Sequence, residues 1–194
     1  MDEIDRKIVA KLQQDGRASL EELAKATGYS SMGARKRLQK LLEKETIKIS
    51  VSLNPSELTL LPAMVMLEME NTQATNNLIE KFKDCPRVVN IFKTMGGYNL
   101  IALVVAENQD VLECISMEKC SLRSSPGIRR SEFYPISDVY YSPFLQVRAS
   151  IADKEKVAKS CGVSCDSCVR FVDRKCAGCP SERNERNRQS EAYG

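Results

Sequence analysis

The period of the apolar residues changes near residue 47, and this change constrains the fold more than any other feature of the 194-residue chain. Before it, Ile4, Ile8 and Leu12 recur every four residues, and Asp2, Glu3 and Asp5 suit the positive end of a helix that should stop near Asp15 and Gly16. Ser19 and Glu22 have capping-box spacing and open a short second helix that ends at Gly28. Ser30 then caps a third helix with Ala34, Leu38, Leu41 and Leu42 inward, while Arg35, Lys36, Arg37, Lys40 and Lys44 crowd its other sides. Two helices joined by a tight glycine turn, the second strongly basic, form a helix-turn-helix pattern.

Beyond residue 47 the alternation of Ile47 to Leu53 reads as an extended arm, broken at Asn54 and Pro55. A strand is predicted over Pro62 to Glu70, then a helix with Leu78, Ile79 and Phe82 inward, then a strand over Val88 to Met95. Gly96 and Gly97 turn the chain into a β-branched strand, Asn99 to Ala106. A helix over Asp110 to Leu122, a turn at Pro126 and Gly127, and a strand from Ile128 complete the order βαββαβ. The class is therefore α+β, a helix-turn-helix domain followed by a ferredoxin-like domain with an antiparallel sheet. Both helices of that domain lie on one face, so the open face calls for a second copy of the chain. The expected segments are 1–47 (helix-turn-helix), 48–61 (linker arm), 62–148 (ferredoxin-like), 149–180 (cysteine-rich) and 181–194 (a disordered polar tail). A helical turn is also expected over Lys154 to Lys159.

Composition narrows the chemistry. The chain has 8 Cys and no His, so catalysis built on Ser-His, Cys-His or a His-held metal is excluded for this chain alone. With 42% hydrophobic and 28% charged residues it reads as globular, and no apolar run is long enough to span a membrane. Met1-Asp2-Glu3-Ile4-Asp5 is acidic where a secretory signal would be basic, which points to the reducing cytoplasm. In that compartment clustered cysteines read as metal ligands before disulfides.

Five cysteines cluster, as Cys161, Cys165 and Cys168, then Cys176 and Cys179. Two Cys-x-x-Cys pairs each bite one metal from a tight turn, and four thiolates so arranged hold Zn²⁺ or a [4Fe–4S] cluster. Paired knuckles favour zinc; the fifth cysteine, the short loop and Cys179-Pro180 favour iron–sulfur, and both stay open. Cys85, Cys114 and Cys120 lack ligand spacing and read as small packing residues, as Met64, Met66 and Met69 read as sheet packing.

The basic third helix points to double-stranded DNA. Ser30 and Ser31 at its N-terminus suit phosphates; Ser31, Met32, Arg35 and Lys36 are placed to read bases, and Arg37, Lys40 and Lys44 to meet phosphates. Gly33 is unexpected inside a helix, where it costs about 1 kcal/mol relative to alanine; it would allow a close approach to DNA or mark a weak reader.

These features, from Asp2-Glu3-Ile4-Asp5-Arg6-Lys7-Ile8 through Leu23-Ala24, Gly28 and Arg37-Leu38-x-x-Leu41 to the βαββαβ segment, resemble the Lrp/AsnC family of feast/famine regulators over about residues 2–145. The resemblance implies DNA binding as a homodimer, assembly up to an octamer, and an effector site for a small molecule between subunits. It places that site at Gly96, Gly97, Tyr98 and Asn99, where the family has Gly-x-Tyr-Asp. Asn99 for Asp removes a charge that would hold an ammonium group, and Thr46 stands where the family has glycine. Siroheme decarboxylases resemble the same architecture but use histidines, absent here, so no enzyme is expected. A second reading is a metal-binding assembly or storage protein that no longer reads DNA.

Overall fold

The computed structural model describes residues 1–148, 151, 165, 168–176, 178 and 179. Cys161, the turn expected over Lys154 to Lys159, and the tail from residue 181 lie outside the described residues. The chain divides into two compact units, Met1–Val51 and a second beginning at Ser52.

In the first unit, α1 (Glu3–Gln14), α2 (Leu20–Thr27) and α3 (Ser31–Glu43) surround a small core of Ile8, Leu23, Ala24, Ala34 and Leu41. The capping box of α2 is present: Glu22 N–H donates to Ser19 Oγ at 3.2 Å and Ser19 N–H donates to Glu22 Oε2 at 2.7 Å. Asp2 and Asp5 cap α1 in the same reciprocal way. Gly28, at φ 73°, stops α2 in the left-handed conformation that glycine adopts without a Cβ clash. Leu42, expected inward, is 38% exposed, because Ala34, Leu38 and Leu41 already complete the buried stripe and Leu42 falls a further 100° around the helix. At the end of α3, Thr46 N–H bonds Leu41 O at 3.0 Å and Glu45 N–H bonds Leu42 O at 3.0 Å. That pair is a Schellman motif. Its left-handed residue is Glu45 (φ 51°), so the conformation that glycine would ease falls one position before Thr46. A side chain there costs about 1 kcal/mol.

In the second unit, β1 (Leu61–Met69), α4 (Thr72–Phe82), β2 (Val88–Lys93), β3 (Leu100–Ala106), α5 (Gln109–Met117) and β4 (Ile128–Pro135) build an antiparallel sheet of order β2-β3-β1-β4. Alternate residues of β1 (Ala63, Val65, Leu67, Met69) and β3 (Leu100, Ala102, Val104, Ala106) face a core completed by Leu78, Phe82, Val111, Leu112 and Ile115 of the helices. Ile79, expected inward, is 37% exposed; Thr75, Leu78 and Phe82 form the buried face instead. The helix expected to reach Leu122 stops at Met117. Ser121 accepts from Arg123 N–H at 3.1 Å and starts a separate turn over Leu122–Ser124, a local cap that competes with helix continuation. Gly127, at φ 78°, is required: a Cβ there would lie 2.4 Å from the Ala74 Cβ.

Among the described residues, the opposite face of the sheet is covered at one end only. Leu53 pairs with Leu145, and Leu60, Val105, Val147 and Ile151 form a second buried cluster there. Elsewhere directly paired residues make open apolar rows: Phe92, Ile101 and Met66, then Leu103, Met64 and Tyr134. Phe92 and Tyr134 are each 49% exposed.

Candidate functional site

The outward side of α3 carries Met32, Lys36, Lys40 and Lys44 at four-residue intervals, with Ser31 and Arg35 beside them, all exposed. Its 13 residues span about 20 Å, enough to lie along a major groove. Two residues expected on that surface are engaged within the unit. Ser30 Oγ accepts from Gly33 N–H at 3.2 Å as the helix cap. Arg37 Nη1 donates to Asp2 Oδ2 at 2.5 Å and to Asp5 Oδ1 at 3.0 Å, and its guanidinium sits 5.3 Å from the centre of the Tyr29 ring. The Asp5 backbone N–H, then Arg37, hold the Asp2 carboxyl below its ordinary range. Gly33 also has a local explanation, since a Cβ there would lie 3.1 Å from the Tyr29 ring and 3.4 Å from Ser30 Oγ. The missing side chain lets Tyr29 close over the first turn of α3.

The β2–β3 connection is a loop closed by Thr94 N–H to Asn99 O at 3.0 Å and Thr94 Oγ1 to Tyr98 O at 2.5 Å. Gly96 and Gly97 are exposed at its tip, and neither is left-handed. Asn99 Oδ1 accepts from Met69 N–H at 2.8 Å and Asn99 Nδ2 donates to Met69 O at 2.9 Å. The amide thus matches both backbone groups at the end of β1, which an aspartate cannot do. Asn99→Asp is expected to set a carboxylate against the Met69 carbonyl and cost about 1–3 kcal/mol in denaturant unfolding. An unchanged midpoint would show that the clasp does not matter. Next to the loop, Tyr134 and Arg130 bond Glu132 and, with the Tyr98 hydroxyl adjacent, hold its carboxyl down at about 2. That Tyr98 hydroxyl is buried.

The cysteine segment packs on the ferredoxin-like fold. Cys165, Cys168, Cys176 and Cys179 line one cavity of about 30 Å³ together with Cys114, Cys120 and Arg87. Cys168 precedes α6 (Val169–Val172), and Gly178, at φ 87°, donates its N–H to Cys176 Sγ at 3.4 Å. Two polar struts fix the segment: Arg170 Nη2 to Glu113 Oε2 at 2.6 Å, and buried Arg87 Nη2 to Gly178 O at 2.7 Å. Burial pushes the Cys114 and Cys120 thiols up to about 12. Among the described residues no three Cys, Asp or Glu side chains converge closely enough to hold a metal ion as they stand. Cys114 and Cys120 were not singled out by spacing; only the tertiary fold brings them to the segment's cysteines.

A helix-turn-helix with an outward basic helix, joined to a ferredoxin-like domain, defines the class of DNA-binding regulators with a separate second domain. Residues 1–42 match the AsnC-type helix-turn-helix domain and residues 62–143 the Lrp/AsnC ligand binding domain. The chain therefore belongs to the Lrp/AsnC family of transcriptional regulators, which are not enzymes. It is 28% identical over 113 residues to the HTH-type transcriptional regulator FL11 of Pyrococcus horikoshii, covering 58% of this chain and 75% of that one. It is 25% identical over 120 residues to Ptr1 of Methanocaldococcus jannaschii, covering 61% and 81%. The fold matches that of E. coli AsnC, with a TM-score of 0.64 at 19% identity over 73% of this chain and 95% of that one. It also matches a Neisseria meningitidis regulator in complex with L-Met, with a TM-score of 0.65 at 19% identity over 73% and 93%. Neither domain match extends past residue 143, so the cysteine segment is an addition to them. No helix among the described residues is long and apolar enough to cross a membrane.

Proposed function

We propose that this regulator binds DNA through Ser31, Met32, Arg35, Lys36, Lys40 and Lys44, and responds to a thiophilic metal held by its cysteine segment. The observation that carries the DNA reading is the unbroken exposed basic side of α3. In this reading Ser30 shapes the helix end and Arg37 braces α3 against α1, leaving the other residues to bases and phosphates. The open apolar rows of the sheet suit pairing with a second copy, and further assembly would set the spacing of DNA half-sites. The six cysteines around the cavity suit a thiophilic metal, Zn²⁺ or a [4Fe–4S] cluster. A small-molecule effector at the loop of Gly96, Gly97 and Tyr98 is a second input, supported by the buried Tyr98 hydroxyl beside the Glu132 carboxylate. Asn99 would act there by holding the loop to β1.

The test compares zinc-loaded and metal-stripped full-length chain on a palindromic fragment from upstream of its own gene. Salt-sensitive binding that differs in affinity or stoichiometry between the two forms is expected. Equal binding by both removes the metal input, and no salt-sensitive binding by either favours an assembly or storage protein.

A further inference from the structure

We propose that the metal centre is not self-contained in the C-terminal segment but takes a ligand from the ferredoxin-like domain: Cys114 of α5, with Cys120 as the neighbouring thiol of the same wall. This rests on the reading of the cysteine segment as a metal site and specifies how that site is built.

Cys114 is 1% exposed, and its thiol lies within hydrogen-bond reach of the Cys176 thiol. Two sulfurs of one tetrahedral zinc site stand about 3.8 Å apart, as follows from Zn–S bonds of about 2.3 Å, and that is the separation of thiols in contact. Cys120 joins the same wall, its thiol 3.8 Å from Cys114 O. Side-chain rotation about Cα–Cβ can turn these thiols toward a common centre, whereas six cysteines around one small cavity have no equivalent explanation in packing.

The struts are placed for this arrangement. Glu113 precedes Cys114 and binds Arg170, two residues after Cys168, while Arg87 grips the carbonyl of Gly178, next to Cys179. Both therefore press ligand residues of the segment onto the wall that carries Cys114. Four thiolates on Zn²⁺ leave a net charge of about −2, and the Arg87 guanidinium in the cavity wall offsets part of it. The N–H of Gly178 on Cys176 Sγ supplies a hydrogen bond that favours the thiolate form. The metal would then be a clasp: loading bonds the segment to α5, and loss of metal removes that bond.

The test loads metal-stripped, full-length chain with Co²⁺ under anaerobic conditions and reads the thiolate-to-cobalt charge-transfer band, whose intensity follows the number of bound thiolates. In Cys114→Ser the band is expected to fall by about a quarter, one ligand of four, with uptake weakened at least tenfold. Cys114→Ala, which keeps the buried position apolar, is expected to show the same loss, so a packing fault from serine is separable. Wild-type intensity and affinity in both Cys114 variants and in Cys120→Ser would overturn the shared centre while leaving a self-contained one standing. Absence of cobalt uptake by the wild-type chain would overturn the metal reading itself, and this inference with it.

Discussion

Glu107→Ala is expected to destabilise the ferredoxin-like unit by about 3 kcal/mol, a large part of the 5–15 kcal/mol that holds a typical domain together. The Arg87 side chain is 6% exposed and forms a two-pronged pair with Glu107, Nε to Oε2 at 2.9 Å and Nη2 to Oε1 at 3.0 Å. Removing the carboxylate leaves a buried guanidinium whose remaining hydrogen bond among the described residues is to the Gly178 carbonyl, and a buried charge without its partner is costly. The converse change should cost less. Arg87→Met keeps the volume and leaves Glu107, 28% exposed, able to reach water. Urea unfolding of the two variants decides the matter: an Arg87→Met loss larger than that of Glu107→Ala would show that the arginine acts by something other than its charge pair.

The second large effect concerns DNA. Lys40→Ala is expected to weaken binding to all sequences alike and to lower the slope of log K against log salt by about 0.9, one phosphate contact. Arg35→Ala should also relax preference at one base pair, by about 1–3 kcal/mol of discrimination. Arg37→Ala should behave differently, because Asp2, Asp5 and Tyr29 already occupy that guanidinium. It is expected to lower the stability of the helix-turn-helix unit while leaving the salt slope intact. A slope that falls equally for Arg37 and Lys40 would return Arg37 to the phosphate contacts.

Arg37 shows where sequence reading stops. Its helical position is legible from the period of Ala34, Leu38 and Leu41, and its charge from composition, but its partners lie thirty-five and thirty-two residues away on α1. Gly33 and Asn99 follow the same rule. Each looks like a departure at a binding surface, and each is explained by a neighbour: the Tyr29 ring for one, the Met69 backbone for the other.

The sequence alone determined what depends on short spacings. Helix periods, the Ser19–Glu22 cap, the Gly28 stop and the succession of elements βαββαβ along the chain are set by residues a few positions apart, where propensity and local hydrogen bonds act. The Cys-x-x-Cys pairs are legible for the same reason. What only the tertiary structure decided is which distant groups share a site. Cys114 and Cys120 carry no ligand spacing, and a cysteine packed in a core has the same letter as one beside a metal. Closing the sheet, burying Arg87 and seating Gly178 on it bring those thiols to the segment's cysteines. That juxtaposition comes from packing two remote stretches of chain against one another, which no local spacing encodes.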